Sequence, residues 1–288
     1  MESKHQQLTE AYRQALSDLP LHWLDRSRDQ EADFKHLSGL FLPGTSPEFE
    51  QATNRIMVVG RETRRWDVLT PGKPFADLDE YIQRAMAIQQ SHFAKYLHDK
   101  TDRGASFFNF LREIRQADQT LGIAWANLFS FAWQRSSPMR WRHFTQLMQV
   151  SKRLLEAQID ILRPDIIVFA NGASSARIRQ QFFPHKGEHS VCSELGDYRM
   201  HGIPVNQLWR FRLHDSVQCY RIQHPSSVSA KSRAARRFLI DQILLRNLPD
   251  LQTVAANSTV DDEPYRKATP NGAPTTDRLT PGNPWSTQ

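Results

Sequence analysis

Four short apolar runs punctuate the chain, and most of the segments between them repeat their apolar positions every three to four residues. The runs are 55–59 (Arg-Ile-Met-Val-Val, ending at Gly60), 123–129 (Ile-Ala-Trp-Ala-Asn-Leu-Phe), 165–170 (Asp-Ile-Ile-Val-Phe-Ala, closed by Asn171-Gly172) and 218–222 (Gln-Cys-Tyr-Arg-Ile). Runs this short, rich in branched and aromatic residues and bounded by turn residues, predict strands buried on both faces of a parallel sheet. Helical spacing predicts helices over 3–18 (Leu8, Tyr12, Ala15 and Leu16 on one side), 76–98, 106–117 with Ser106 as N-cap, 141–162 ended by Pro164, about 174–182 and about 230–246. Residues 190–217 read as irregular or short β structure. Strands alternating with helices predict an α/β fold: three α/β/α layers about a central four-stranded, mainly parallel sheet. The expected organisation is a helical extension packed on the core (1–50), the α/β domain (51–248), and an aperiodic tail rich in Thr, Pro, Asn and Asp, disordered or extended (249–288).

Charge narrows the partners. A formal net charge of +6 over 288 residues favours an acidic partner such as DNA; a basic surface with no specific partner is the alternative. Cys192 and Cys219 make neither a disulfide framework nor a zinc or iron–sulfur ligand set. No metal and no cofactor is expected. The two thiols suit a reducing cytoplasm. The polar N-terminal segment does not read as a signal peptide, and no apolar run approaches the roughly 20 residues that span a membrane. A monomer is expected.

The chemistry gathers at strand ends, where open α/β sheets bind their ligands. The first strand runs into Gly60-Arg61-Glu62-Thr63-Arg64, the second carries Asn127, and the last delivers His224 into Pro225-Ser226-Ser227-Val228-Ser229. Each residue has a plain structural use. Glu62 can cap or pair with Arg64 or Arg65, Asn127 can tie down a loop, and His224 can be a satisfied core histidine. Their joint placement at the ends of separate strands favours a shared site. Basic residues cluster beside them: Arg61, Arg64 and Arg65; Arg135, Arg140 and Arg142; Lys231, Arg233, Arg236 and Arg237. Phosphate contact is a natural use for such charges, a solvated face the alternative. Lys231 and Arg233 stand out, close to His224 and near a helix N-terminus.

Taken in order, these segments resemble the uracil-DNA glycosylase superfamily over about residues 50–246. IMVVGRET is similar to its first motif, a strand followed by Gly-x-Asp-Pro or Gly-x-Asn-Pro. GASFFNFLREI resembles its Pro-Ser-Leu segment and the helix after it. IAWANLFSF resembles the strand whose asparagine reads the base, RPDIIVFANG the next strand, and RIQHPSSVSAKS the His-Pro-Ser-Pro-Leu-Ser loop. The resemblance implies a monofunctional DNA glycosylase of that fold. Glu62 would stabilise the cationic sugar and orient water. His224 would donate to the pyrimidine O2, and Asn127 would pair with the edge of a flipped base. Gly60, Arg61 and Arg64 would lie against that base, over an aromatic floor sought among Trp66, Phe75 and Phe93. Ser106, Ser226, Ser229, Lys231 and Arg233 would hold DNA, with Val228 where the family places its apolar wedge.

The chain also departs from the pattern. Glutamate replaces the aspartate or asparagine, Thr63 the proline, and Arg64 the tyrosine that blocks the C5 side of uracil. The segment between Glu62 and Ser106 is longer, adding Trp66, Pro71, Pro74 and the 76–98 helix. A missing block and an extra lid fit a pyrimidine with a bulky C5 group. Such a base is the glucosylated hydroxymethylcytosine of some phage DNA, on which bacterial anti-phage members of the superfamily act. An ordinary uracil or mismatch repair glycosylase, a DNA-binding module of the same fold without catalysis, and an unrelated small-molecule site on a basic α/β protein are the alternatives.

Overall fold

The computed structural model describes residues 2–25, 32–69, 75–98 and 105–244. The loop prolines Pro71 and Pro74, the end of the last predicted helix and the 249–288 tail lie outside the described residues.

The chain enters through three helices, α1 (Lys4–Leu16), α2 (Ala32–Lys35) and α3 (Pro47–Gln51), before strand β1 (Asn54–Gly60). Helices α4 (Leu78–His98) and α5 (Ser106–Ala117) lead to β2 (Leu121–Asn127). Helix α6 (Phe144–Leu162), β3 (Ile166–Phe169) and α7 (Ala176–Phe182) follow. Strands β4 (Cys192–Asp197), β5 (Leu208–Leu213) and β6 (Val217–Ile222) precede the last helix, α8 (Ala230–Leu244).

The four apolar runs pair in parallel in the order β2-β1-β3-β6. The sheet is larger than the predicted four strands: β5 and β4 continue it antiparallel beyond β6, making a six-stranded mixed sheet. Of the two expectations for residues 190–217, short β structure holds: the segment carries two paired strands, and what the sequence did not show is that they extend the main sheet. The reason lies in β5, Leu-Trp-Arg-Phe-Arg-Leu. Its two arginines, on the same face as buried Leu208, are only half-buried, while Trp209, Phe211 and Leu213 on the other face are buried. A strand with charge on one half-covered face lacks the all-apolar run that marks a doubly buried one.

Alternation along the strands feeds two cores. Met57, Val59, Ile167, Phe169 and Phe211 pack with Leu8 and Tyr12 of α1, Leu147 and Leu154 of α6, and Ile178 and Phe182 of α7. Ile56, Val58, Val168 and Ile222 face the other way, onto Phe110, Leu111 and Ile114 of α5 and Ala235 and Leu239 of α8. Burying such side chains contributes about 1.5–3 kcal/mol each. Helix ends differ in detail from expectation. Ala105, not Ser106, is the N-cap of α5, and it offers no side-chain bond. Helix α6 starts at Phe144 and stops at Arg163, which turns left-handed (φ 49°) ahead of Pro164. Among the described residues no helix is long and apolar enough to cross a membrane.

The strand order fixes where a ligand can enter. The chain passes from β1 outward to β2, then returns across β1 to β3 and continues to β6. Connections leaving β1 and β3 in opposite directions open a crevice at their carboxyl ends.

Candidate functional site

That crevice is a cleft of about 340 Å³, at the small end of ligand pockets. Gly60, Arg61, Glu62, Arg64, Trp66, Asn127 and His224, all picked out from the sequence, line it. They arrive from the ends of β1, β2 and β6, roughly 70 and 100 residues apart in the chain. Register explains the meeting of the first two: Gly60 is the direct partner of Asn127 in the parallel ladder.

Asn127 is buried, and its amide is held at both ends. Nδ2 donates to Thr63 Oγ1 at 2.6 Å, while Oδ1 accepts from Trp125 Nε1 at 3.2 Å. Thr63, standing where the resembled motif has proline, thus anchors the amide. One Nδ2 proton and one Oδ1 lone pair remain for a ligand edge. Gly60 makes this approach possible: a Cβ there would sit 2.7 Å from Asn127 Oδ1 and 3.2 Å from Phe107 Cε2.

Glu62 is nearly enclosed, its side chain 2 % exposed. It is also paired, as its structural alternative foresaw, though with Arg61 and Arg64 rather than Arg65. Arg61 donates to both oxygens (2.6 and 3.0 Å), and Arg64 Nε reaches Oε1 at 3.4 Å. An ionised carboxylate accepts about four hydrogen bonds, so Oε2 keeps a position for water. Arg61 also reaches Ser174 Oγ at 3.4 Å, tying the turn after β1 to the segment after β3.

His224 is half-buried at the end of the β6 loop. Its Nδ1 accepts from the Ser226 backbone N–H at 3.2 Å and lies 2.8 Å from the Ser226 hydroxyl. An N–H donor into Nδ1 leaves the proton of a neutral ring on Nε2. Burial, and then the nearby Arg61 guanidinium, hold the imidazole below its ordinary value, while Glu62 opposes them; the neutral form is the stable one. Gly172 (φ 77°) passes behind the loop, where a Cβ would come 3.4 Å from the His224 backbone nitrogen.

The same loop is bound internally. Ser229 Oγ accepts from Ser232 N at 3.1 Å, the N-cap geometry for α8. Ser227 and Ser229 both meet Ser232 Oγ at 2.8 Å, and Arg236 donates to Ser227 O at 3.1 Å. Arg233 donates to Val228 O. Of the sequence candidates for DNA contact, Ser226, Ser229 and Arg233 thus have partners within the loop. Lys231 is exposed, and Val228 projects into solvent, 77 % exposed. Ser106 does not line the cleft.

The aromatic walls were only partly legible. Trp66 lines the cleft but is buried, with Nε1 bound to Leu40 O at 3.2 Å. Phe75 lies elsewhere, edge-on to Tyr81 at 5.2 Å, and Phe93 lines a different cavity. Sequence reasoning missed Phe107, Phe108, Trp125, His92 and Tyr96. Phe107 and Phe108 sit in the first turn of α5 and are only half-buried; Phe107 falls in helical register with Phe110, Leu111 and Ile114, the stripe that fills the core. That register makes it indistinguishable from a core residue by spacing alone. Phe107, beside Gly60 and Asn127, is the ring placed to support a flat ligand. His92 and Tyr96 come from α4, so the segment between Glu62 and Ser106 contributes one wall of the cleft.

By sequence, the chain matches no protein-family model and no curated protein.

Proposed function

We propose that this protein is a DNA glycosylase of the uracil-DNA glycosylase type, hydrolysing the N-glycosidic bond of a flipped, C5-modified pyrimidine to leave an abasic site. One observation carries the reading: a carboxylate, an amide and a neutral imidazole, delivered by three separate strands, line one aromatic-walled cleft at the sheet's carboxyl edge. In this chemistry the C1′–N1 bond breaks with its electron pair leaving on the base. Nε2–H of His224 stabilises charge gathering at O2. Glu62 faces the sugar cation and accepts the proton of the water that adds to C1′. Asn127 holds the base edge against Phe107. Arg61, Arg64 and, from α4, His92 and Tyr96 give the cleft polar walls, which supports a substrate with a hydroxyl-rich C5 group such as glucosylated hydroxymethylcytosine, and hence defence against phage in the cytoplasm.

The clamp of Arg61 on Glu62 favours a second reading, DNA binding without catalysis, because a neutralised carboxylate stabilises a cation less. One experiment separates these readings. Duplexes carrying cytosine, uracil, hydroxymethylcytosine or its glucosylated form are incubated with the protein, with Glu62→Gln and His224→Ala, and abasic sites are scored by alkaline cleavage. Release of the glucosylated base alone, lost in both variants, is the expected result. Release of uracil instead would make it a repair enzyme. Tight binding with no release from any duplex would favour the non-catalytic module.

A further inference from the structure

A second cleft, of about 330 Å³, adjoins the first and shares Arg65 and Trp66 with it. Its other walls are Lys35 and His36 at the end of α2, Asp67, and the Gln134-Arg135 turn. Three permanent cations, Lys35, Arg65 and Arg135, thus face the single carboxylate of Asp67. No ion pair joins any of the three to a carboxylate among the described residues, whereas Arg61 and Arg64 next door are both engaged with Glu62. All three are exposed at the cleft surface.

The backbone there is left-handed at three positions, as it also is at the His214-Asp215 turn. Trp133 and Ser136 exchange both hydrogen bonds (3.0 and 2.9 Å) across a two-residue turn. Gln134 (φ 50°) and Arg135 (φ 56°) are both left-handed, as is Arg65 (φ 54°) opposite. A turn of this kind favours Asn-Gly, because a Cβ disfavours positive φ. Three non-glycine residues holding that conformation around one cleft, two of them arginines, keep cationic side chains where glycine would relax the backbone. Strain retained beside a binding cleft points to use of the side chains.

We infer that this second cleft binds a phosphodiester of the same DNA strand whose base enters the first. A strand that places one nucleotide between Phe107 and His224 passes its neighbouring phosphate along the shared Arg65 wall, and the arginine forks suit phosphate oxygens. The identity of the strand rests on the glycosylase reading; the anion site does not.

The test is the salt dependence of duplex binding by the wild type and by a Lys35→Ala/Arg135→Gly double variant. Glycine preserves the left-handed turn, so the variant should melt at or above the wild-type temperature. The slope of log affinity against log salt should become shallower by about 2, near 0.9 for each cation lost. Single methylphosphonate linkages placed along the target strand should weaken the wild type at one position and leave the double variant unaffected there. An unchanged slope, or the same methylphosphonate profile in both proteins, would overturn the proposal. So would a mononucleotide that raises the melting temperature of the wild type alone while the DNA slope stays fixed, since the cleft would then serve a free nucleotide. Base release is measured alongside. A shallower slope with no release from any wild-type reaction defeats the glycosylase reading and keeps the anion site; release with an unchanged slope defeats the site alone.

Discussion

Adding one methyl group at Gly60 tests the geometry of the cleft most directly. The new Cβ would lie 2.7 Å from Asn127 Oδ1 and 3.2 Å from Phe107 Cε2, where ordinary contact begins at 3.4 Å. Asn127 must therefore yield by about 0.7 Å. It cannot rotate freely, because Thr63 and Trp125 hold its two ends. Overpacking of this kind costs about 1–3 kcal/mol. For a chain of this size that lowers the melting temperature by about 2–12 °C. Displacing a ligand-facing group by this much lowers the rate about 100-fold, so single-turnover base release should fall that far while binding to undamaged duplex stays constant. Truncation to Asn127→Ala removes the clashing oxygen. The double variant should then be more stable than the sum of the two single losses predicts, by roughly 1 kcal/mol. Thermal unfolding and quenched-flow release on the four proteins provide the measurement. Wild-type melting and wild-type release in Gly60→Ala would refute the placement of Asn127 against Gly60, and with it the base-edge role.

Further outcomes follow from the same geometry. Glu62→Gln should slow base release by about 10²–10³-fold, and its stability loss should fall below the 3–5 kcal/mol of a fully buried pair, because Arg61 is 25 % exposed and keeps water as a partner; loss of stability without loss of rate would make Glu62 structural. The lowered pKa of His224 sets two pH dependences. Its folded value lies below the ordinary 6.5, so the unfolded chain binds the extra proton in that interval. The histidine's contribution to stability therefore rises with pH from the folded value up to about 6.5 and is flat above it. The acid limb of base release should likewise fall below pH 6.5, and Arg61→Gln should move it upward. A limb at or above 6.5 in the wild type would contradict the neutral-donor assignment. Burial pushes the Cys192 thiol up to about 11 and Cys219 well above its ordinary value, so a thiol reagent at pH 8 should label neither in the folded protein and both after denaturation.

The sequence by itself determined the four parallel strands and which residues stand at their ends. An all-apolar run such as Ile56–Val59 is a local signal, since a strand buried on both faces must be apolar at every position. Gly60, Glu62, Asn127 and His224 were therefore placed at strand ends before any tertiary contact was known. The sequence left residues 190–217 between irregular and short β structure, because β4 and β5 mix charge with apolar residues and gain their order from pairing, β4 with β5 and β5 with β6. It did not find Phe107 beside the candidates Trp66, Phe75 and Phe93, because Phe107 stands in a run of aromatics at core spacing (Phe107, Phe108, Phe110), and only the packing of α5 beside Gly60 brings it to the cleft. The second, basic cleft was hidden for a like reason, since it depends on loops after α2, β1 and β2 being brought together; the Arg61–Glu62 clamp joins chain neighbours, and what the sequence lacked there was the side-chain geometry that encloses it. Local pattern sets which strands form, whereas the order and register in which they pair decide which distant side chains meet.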